Sequence, residues 1–126
     1  MINTILNKSK KIRKIFLNLI IEGNKYHLGG SLSCLDFICT AIGGKFIKID
    51  KDKGLRNFIL SKGHALGVLH SILLEKKIIE KKTFYGNKKK GKIGGQLDIF
   101  NPLDFFEWNS GSLGHSVGIS IGLSLT

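Results

Sequence analysis

The sequence is poor in proline, arginine and acidic side chains, and it has no long apolar run. Its 126 residues include one Pro, two Cys, one Trp and nine acidic residues, and the formal net charge is +11 at pH 7. Lys, Glu or Gly interrupts the longest apolar stretches, which excludes a transmembrane span. The length predicts one domain or part of one, and a hydrophobic fraction of 42% is enough to fill a core.

The scarcity of arginine bears on what the positive charge is for. Of the 20 basic residues, 18 are Lys, whereas bidentate phosphate contacts and base readout favour Arg. A lysine excess of this kind is typical of a compositional bias, and the lysines at 88–92 are interpreted as a solvated loop. A basic nucleic-acid-binding module stays open as an alternative, and it would predict salt-sensitive binding.

The two cysteines and the N-terminus exclude further classes of protein. Cys34 and Cys39 lie five residues apart in an apolar segment without metal-ligand spacing, so we expect buried, reduced thiols. The N-terminal region is basic but amphipathic, and it has no small-residue cleavage site, which argues against a secretory signal. A cytoplasmic location without membrane contact is therefore expected.

Helical periodicity is clearest at the N-terminus. The spacing predicts a helix from Thr4 to Glu22, stopped by Gly23 and Asn24, with one apolar stripe. A loop over 25–33 is expected next because it holds paired glycines, followed by a second helix with Ser33 as its N-cap. That helix should run through Ile42 to glycines 43 and 44. The predicted stripe comprises Ile5, Ile12, Phe16, Leu19 and Ile20.

The middle of the chain predicts a strand-to-helix turn. A polar connection is expected over 48–53, a short buried strand over 56–60, a sharp turn at Gly63 and a helix from Ala65 to Glu75. His64 would then lie at a helix N-terminus after the carboxyl end of a strand, where phosphate groups bind favourably. The alternative is a histidine that only satisfies local hydrogen bonds. Beyond it, a short helix over 74–85 and an extended, buried segment over 101–109 are expected.

A glycine-rich stretch at 109–122 ends this pattern. Gly111, Gly114, Gly118 and Gly122 are spaced three or four apart, and a helix is expected from about Leu113. Glycines inside a helix cost about 1 kcal/mol each relative to Ala, so a repeated set indicates a packing or ligand role. Spacing alone favours a tight helix–helix contact over a ligand site.

Three segments together resemble the successive motifs of transketolases. They are His-Leu-Gly-Gly-Ser-Leu-Ser at 27–33, Arg-Asn-Phe-Ile-Leu-Ser-Lys-Gly-His-Ala at 56–65 and Gly-Ser-Leu-Gly-His-Ser at 111–116. They stand in the family's order and separation, and the resemblance covers essentially the whole chain. The Gly-Gly-Ser-Leu-Ser form is similar to that of split transketolases, whose N-terminal half is a separate polypeptide.

This resemblance implies a fold, a reaction and a set of site residues. The fold would be α/β, namely the helix-rich N-terminal part of a thiamine-diphosphate-binding fold with an incomplete parallel sheet. The reaction would move a two-carbon ketol unit from a ketose phosphate to an aldose phosphate, with thiamine diphosphate and a divalent cation such as Mg²⁺. By motif matching, His27 would contact substrate hydroxyls and His64 the cofactor. Gly111, Ser112 and Leu113 would contact the cofactor's rings.

Two departures from the family pattern qualify these expectations. Gln96 stands where the family usually has a histidine that contacts the donor sugar, and an amide cannot exchange a proton near pH 7. The family's metal-binding Gly-Asp-Gly motif is expected beyond residue 126, so the metal ligands would lie outside this chain. Residues 1–126 are thus interpreted as a partial transketolase N-terminal domain. It would be inactive alone and would need the C-terminal portion or subunit in a dimeric assembly; a degenerate, noncatalytic subunit is the alternative.

Overall fold

The structure, a computed structural model, describes residues 2–50, 54–56, 58–82 and 111–125. Helices dominate these ranges, as the sequence predicts. In chain order they form helix α1 (Ile2–Ile21), helix α2 (Leu28–Gly43), strand β1 (Lys48–Asp50), strand β2 (Gly54–Arg56), a 3-10 turn (Gly63–Ala65), helix α3 (Leu66–Glu75) and helix α4 (His115–Ser124).

The amphipathic pattern of α1 is confirmed. Ile12, Phe16 and Leu19 are fully buried, whereas the two outer members of the predicted stripe are half-buried. The helix ends where expected, because Gly23 adopts a left-handed φ of 86° that a side chain would strain. The backbone N–H of Asn24 then donates to the carbonyl oxygen of Leu19 at 3.0 Å. This stop turns the chain back toward the core.

Helix α3 is the centre of the described structure. Every residue from Leu66 to Leu73 is buried, including the polar His70 and Ser71. Helices α1 and α2 both pack on it, and α2 also contacts the 3-10 turn that precedes it. The helix begins close to its predicted start and ends at Glu75 as expected. The buried core cluster comprises Ile12, Leu35, Ile38, Cys39, Ile47, Leu60, Ala65, Leu66, Val68, Leu69 and Ile72.

Helix α2 starts six residues earlier than the sequence predicts. Its N-cap is His27, and the first turn includes both glycines that were assigned to a loop. The backbone N–H of Ser31 already donates to the carbonyl oxygen of His27 at 3.0 Å. Ser33 is therefore not an N-cap, and its hydroxyl instead donates to the carbonyl oxygen of Gly30 at 3.1 Å. The predicted end at Gly44 is confirmed.

The described strands also differ from the prediction. β1 falls in the segment expected to be a polar connection, and β2 ends at Arg56, where the predicted strand was to begin. The two strands pair antiparallel, with Ile49 opposite Leu55. Residues 58–60 lie in no ladder, although Leu60 is buried in the core. No parallel pairing is present in the described ranges, so the parallel sheet stays a prediction.

One ionic contact joins α1 to α2. The guanidinium of Arg13 donates to both carboxylate oxygens of Asp36, at 3.0 and 2.9 Å, and the Ser9 hydroxyl donates to the same carboxylate. The Ser9 hydrogen bond is the largest cause of the lowered pKa of Asp36; burial opposes it, and the charge and hydrogen bond of Arg13 lower the pKa further. The contact links α1 to the middle of α2 at the protein surface, where ion pairs contribute little to stability.

Cys34 and Cys39 are both free, as predicted; Cys39 is buried as expected, whereas Cys34 is only half-buried. Burial raises the pKa of the Cys39 thiol to about 11. Among the helices that the structure describes, none has the length and apolar character needed to span a membrane.

Candidate functional site

The two histidines singled out from the sequence lie side by side. The ring centroids of His27 and His64 are 5.7 Å apart, and the rings meet edge to face at 79°. They come from different elements, because His27 is the N-cap of α2 and His64 is the middle residue of the 3-10 turn before α3. The packing of α2 on that turn therefore places the two imidazoles together.

Gly30 makes this arrangement possible. A Cβ atom at position 30 would lie 2.4 Å from Cδ2 and 3.0 Å from Nε2 of the His64 ring. The helix backbone thus forms a floor against which the imidazole rests. At Gly29, one residue earlier, a Cβ atom would meet nothing within 4 Å. Only the second glycine of the pair is required by a close contact.

Lys62 adds a positive charge beside the histidines, and its position was not predicted from the sequence. Its ammonium group donates to the hydroxyl of Ser33 at 2.6 Å, so the side chain reaches across to the second turn of α2. This contact spans 29 residues of sequence. The sequence signal that could have indicated this role is the position of Lys62, which stands two residues before His64 and next to the glycine of the turn.

Burial lowers the pKa of His64, and the neighbouring charges of Lys62 and His27 lower it further. A neutral imidazole has one N–H donor and one acceptor nitrogen. The His27 side chain makes no capping hydrogen bond to its own helix. Both rings therefore have polar atoms that a ligand could use.

The backbone of α2 adds further donors. The first intrahelical N–H bond of α2 is made by Ser31, so the N–H groups of the residues before it, Leu28, Gly29 and Gly30, have no partner within the helix. Together with the helix dipole and Lys62, these groups favour an anion near the N-terminus of α2. The chemistry of this cluster fits a phosphate or diphosphate better than a cation.

The described residues provide no group of side chains for a metal ion. Across residues 2–50, 58–82 and the final helix, no group of three or more His, Cys, Asp or Glu side chains is placed to hold a metal ion. The expectation that the metal ligands lie beyond residue 126 stays a prediction.

The glycine-rich stretch is found in an open setting. Gly114 has a φ of 83° and caps α4, which starts two residues later than expected. A Cβ atom at Gly111, Gly118 or Gly122 would meet nothing within 4 Å, and Leu113 is 67% exposed. Ser112 is exposed as well. The tight helix–helix contact favoured by the spacing is therefore absent from the described structure.

The structure thus brings together His27 and His64 but not every predicted site residue. Gly111, Ser112 and Leu113 are exposed rather than packed against the two histidines, and Gln96 lies outside the described residues. The roles of all six residues stay predictions.

Comparison with known proteins gives one relevant similarity. The chain is 28% identical over 130 aligned positions to one of the subunits of the apulose-4-phosphate transketolase of Phocaeicola vulgatus. The alignment covers 98% of this chain and 45% of that relative, so the chain spans less than half of the relative's length. No protein-family model matches the chain. The similarity supports a transketolase-like relation.

Proposed function

We propose that this chain supplies part of the thiamine diphosphate site of a transketolase-like enzyme, which transfers a two-carbon ketol unit between sugar phosphates. The observation that carries the proposal is the pairing of His27 and His64 over the bare backbone of Gly30. These residues belong to two separate motifs that the resemblance assigns to one site. The similarity to a subunit of a known transketolase supports the transketolase-like relation on which this assignment depends.

The residues present fit an anionic cofactor. His64 and the N–H groups at the start of α2 would donate to the diphosphate, and Lys62 would balance part of its charge. When bound, thiamine diphosphate supplies the carbon nucleophile that accepts the ketol unit. His27, which is exposed beside His64, would hold a substrate hydroxyl and orient the donor sugar. Gln96 would hold another hydroxyl without exchanging its proton.

Other parts of the site would come from elsewhere. Gly111, Ser112 and Leu113 would contact the cofactor's rings once a complementary transketolase portion or subunit is present. Helix α4 and its C-cap residue favour such a partner, because they carry a set of exposed apolar side chains. Their exposed fractions are 61% for Val117, 58% for Ile121, 61% for Leu123 and 83% for Leu125. The divalent cation would be held by ligands of that same portion, and a cytoplasmic location stays a prediction.

A turnover assay tests this proposal in two steps. The purified 126-residue chain, given thiamine diphosphate, Mg²⁺, a ketose phosphate and an aldose phosphate, is expected to transfer no ketol unit. Its described residues include no metal-binding group, and a hard cation needs several oxygen ligands. Turnover by the chain alone would contradict the need for a further portion.

A fusion protein tests whether this chain takes part in catalysis once the rest of the enzyme is present. In the fusion, this chain replaces the aligned region of the Phocaeicola vulgatus relative, in that relative's assembled enzyme. Ketol transfer that is lost in His27→Ala would support the catalytic proposal. A folded, assembled fusion without turnover, beside an active unmodified enzyme, would contradict it and favour the noncatalytic subunit.

A further inference from the structure

The link between α1 and α2 is held at both ends. At its start, the Asn24 side-chain amide donates to the carbonyl oxygen of Leu19 at 2.9 Å. At its end stands His27, the N-cap of α2. The residue before it, Tyr26, is turned toward the core and is half-buried. Because successive Cα atoms are only about 3.8 Å apart, whatever holds Tyr26 also limits where His27 can lie.

Tyr26 is held by contacts from two helices. Its ring lies 6.0 Å from the ring of Phe16 on α1 and 5.8 Å from the ring of His70 on α3, measured between centroids. Its hydroxyl is hydrogen-bonded to Nδ1 of His70 at 2.7 Å. Gly67 leaves room for both aromatic rings, since a Cβ atom there would lie 2.4 Å from Phe16 and 3.0 Å from Tyr26.

His70, the partner of Tyr26 in this hydrogen bond, lies in the core. It is completely buried, and it lies on α3, the helix that follows His64. Burial lowers the pKa of His70 to about 3 and raises that of Tyr26, so both partners are neutral over the usual pH range. The hydrogen bond is therefore maintained across the pH values at which an enzyme of this kind would work.

We propose that Tyr26 and His70 form a buried positioning pair that sets the separation between the imidazoles of His27 and His64. The hydrogen bond joins Tyr26, the residue before His27, to His70 on the helix that follows His64. Each of the two site histidines is therefore linked along the backbone, over a few residues, to one partner of the bond. Neither residue is proposed to contact the ligand. Their consequence for catalysis rests on the proposed function, but their effect on the two histidines does not.

Tyr26→Phe tests the pair in the full 126-residue chain. It removes only the hydroxyl, so the ring packing is retained while the bond to His70 is lost. The inter-ring nuclear Overhauser effect between His27 and His64 is expected to fall at least about twofold, since displacements of about 1 Å are enough to spoil a positioned group. The pKa of His64 should rise toward its ordinary value, because a looser ring is better solvated.

Ile72→Val is the matched control. Ile72 is buried on the same helix, but it has no part in the bond, so its truncation perturbs the core and not the pair. In this variant both histidine signals should stay as in the wild type. Equal changes in the two variants, or no change in Tyr26→Phe, would overturn the proposal.

His70→Asn keeps the proposal testable if Tyr26→Phe fails to fold. The asparagine amide can meet the Tyr26 hydroxyl near the present Nδ1 position. The Overhauser effect should then be retained, and its loss in folded His70→Asn would contradict the pair. Thiamine diphosphate binding is measured separately, in the 126-residue chain and in the fusion: its absence in both would refute the proposed function and leave the positioning result unchanged.

Discussion

Replacement of Gly30 by alanine is expected to weaken thiamine diphosphate binding about tenfold, which corresponds to about 1.4 kcal/mol and to the loss of about one hydrogen bond. The new Cβ would lie 2.4 Å from the His64 ring, and ordinary contact begins near 3.4 Å. The ring must therefore move by roughly 1 Å, a displacement on the scale that spoils a positioned group. Its donor nitrogen would no longer point where the diphosphate is expected.

The stability of this variant should change little. The atom in the way belongs to a side chain that can turn aside, and alanine gains up to about 1 kcal/mol over glycine inside a helix. Binding and folding thus respond differently to one substitution. Titration with thiamine diphosphate, followed by the histidine ring signals in nuclear magnetic resonance, measures the change in binding, and chemical denaturation measures the change in stability.

Gly29→Ala is the matched control for this experiment. It lies in the same helical turn, and a Cβ there would meet no atom within 4 Å. Because alanine keeps the backbone N–H of this position and leaves the His64 ring in place, we expect a smaller loss of affinity than in Gly30→Ala, and a stability equal to or about 0.5–1 kcal/mol above the wild type. Equal affinities for both alanine variants would show that the His64 ring does not contact the cofactor.

Phe16→Ala should have the largest effect on stability, a loss of about 3–5 kcal/mol in the free energy of unfolding. The side chain is fully buried, and its ring fills the space over Gly67 beside Tyr26. Small domains are stable by only about 5–15 kcal/mol, so the variant is expected to be partly unfolded at room temperature. Urea denaturation followed by circular dichroism measures the loss.

Leu17→Ala provides the comparison for Phe16→Ala. Leu17 is the next residue on α1 but is 38% exposed. Its truncation removes less buried surface and should cost about 1 kcal/mol or less. A Phe16 variant as stable as the Leu17 variant would mean that the α1–α3 contact does not hold the described core together.

The parts of the fold that were predicted correctly are those with local causes. The periodicity of α1, its glycine stop and the turn at Gly63 can each be read within a few residues. The start of α2 was missed because two adjacent glycines usually interrupt a helix. Here the second one is retained by a contact with His64, which lies on a distant part of the chain and leaves no local pattern.

The same distinction between local patterns and tertiary contacts applies to the candidate site. Resemblance to transketolase motifs named His27 and His64 as parts of one site, and the structure places their rings 5.7 Å apart. The resemblance could not indicate the hydrogen bond between Tyr26 and His70, which joins side chains 44 residues apart in the sequence and belongs to none of the three motifs. Tertiary contacts of this kind depend on how helices pack, and a single sequence does not contain that information in readable form.

The central claim is that His27 and His64 form the face of a thiamine diphosphate site. It is tested most directly by titrating the 126-residue chain with thiamine diphosphate while the ring signals of its histidines are followed by nuclear magnetic resonance. We predict saturable shifts at His64 and His27 with a dissociation constant of about 1 mM, and no shift at the buried His70. Unmoved His27 and His64 signals, or shifts that persist at His27 in His64→Ala with unchanged affinity, would contradict the account.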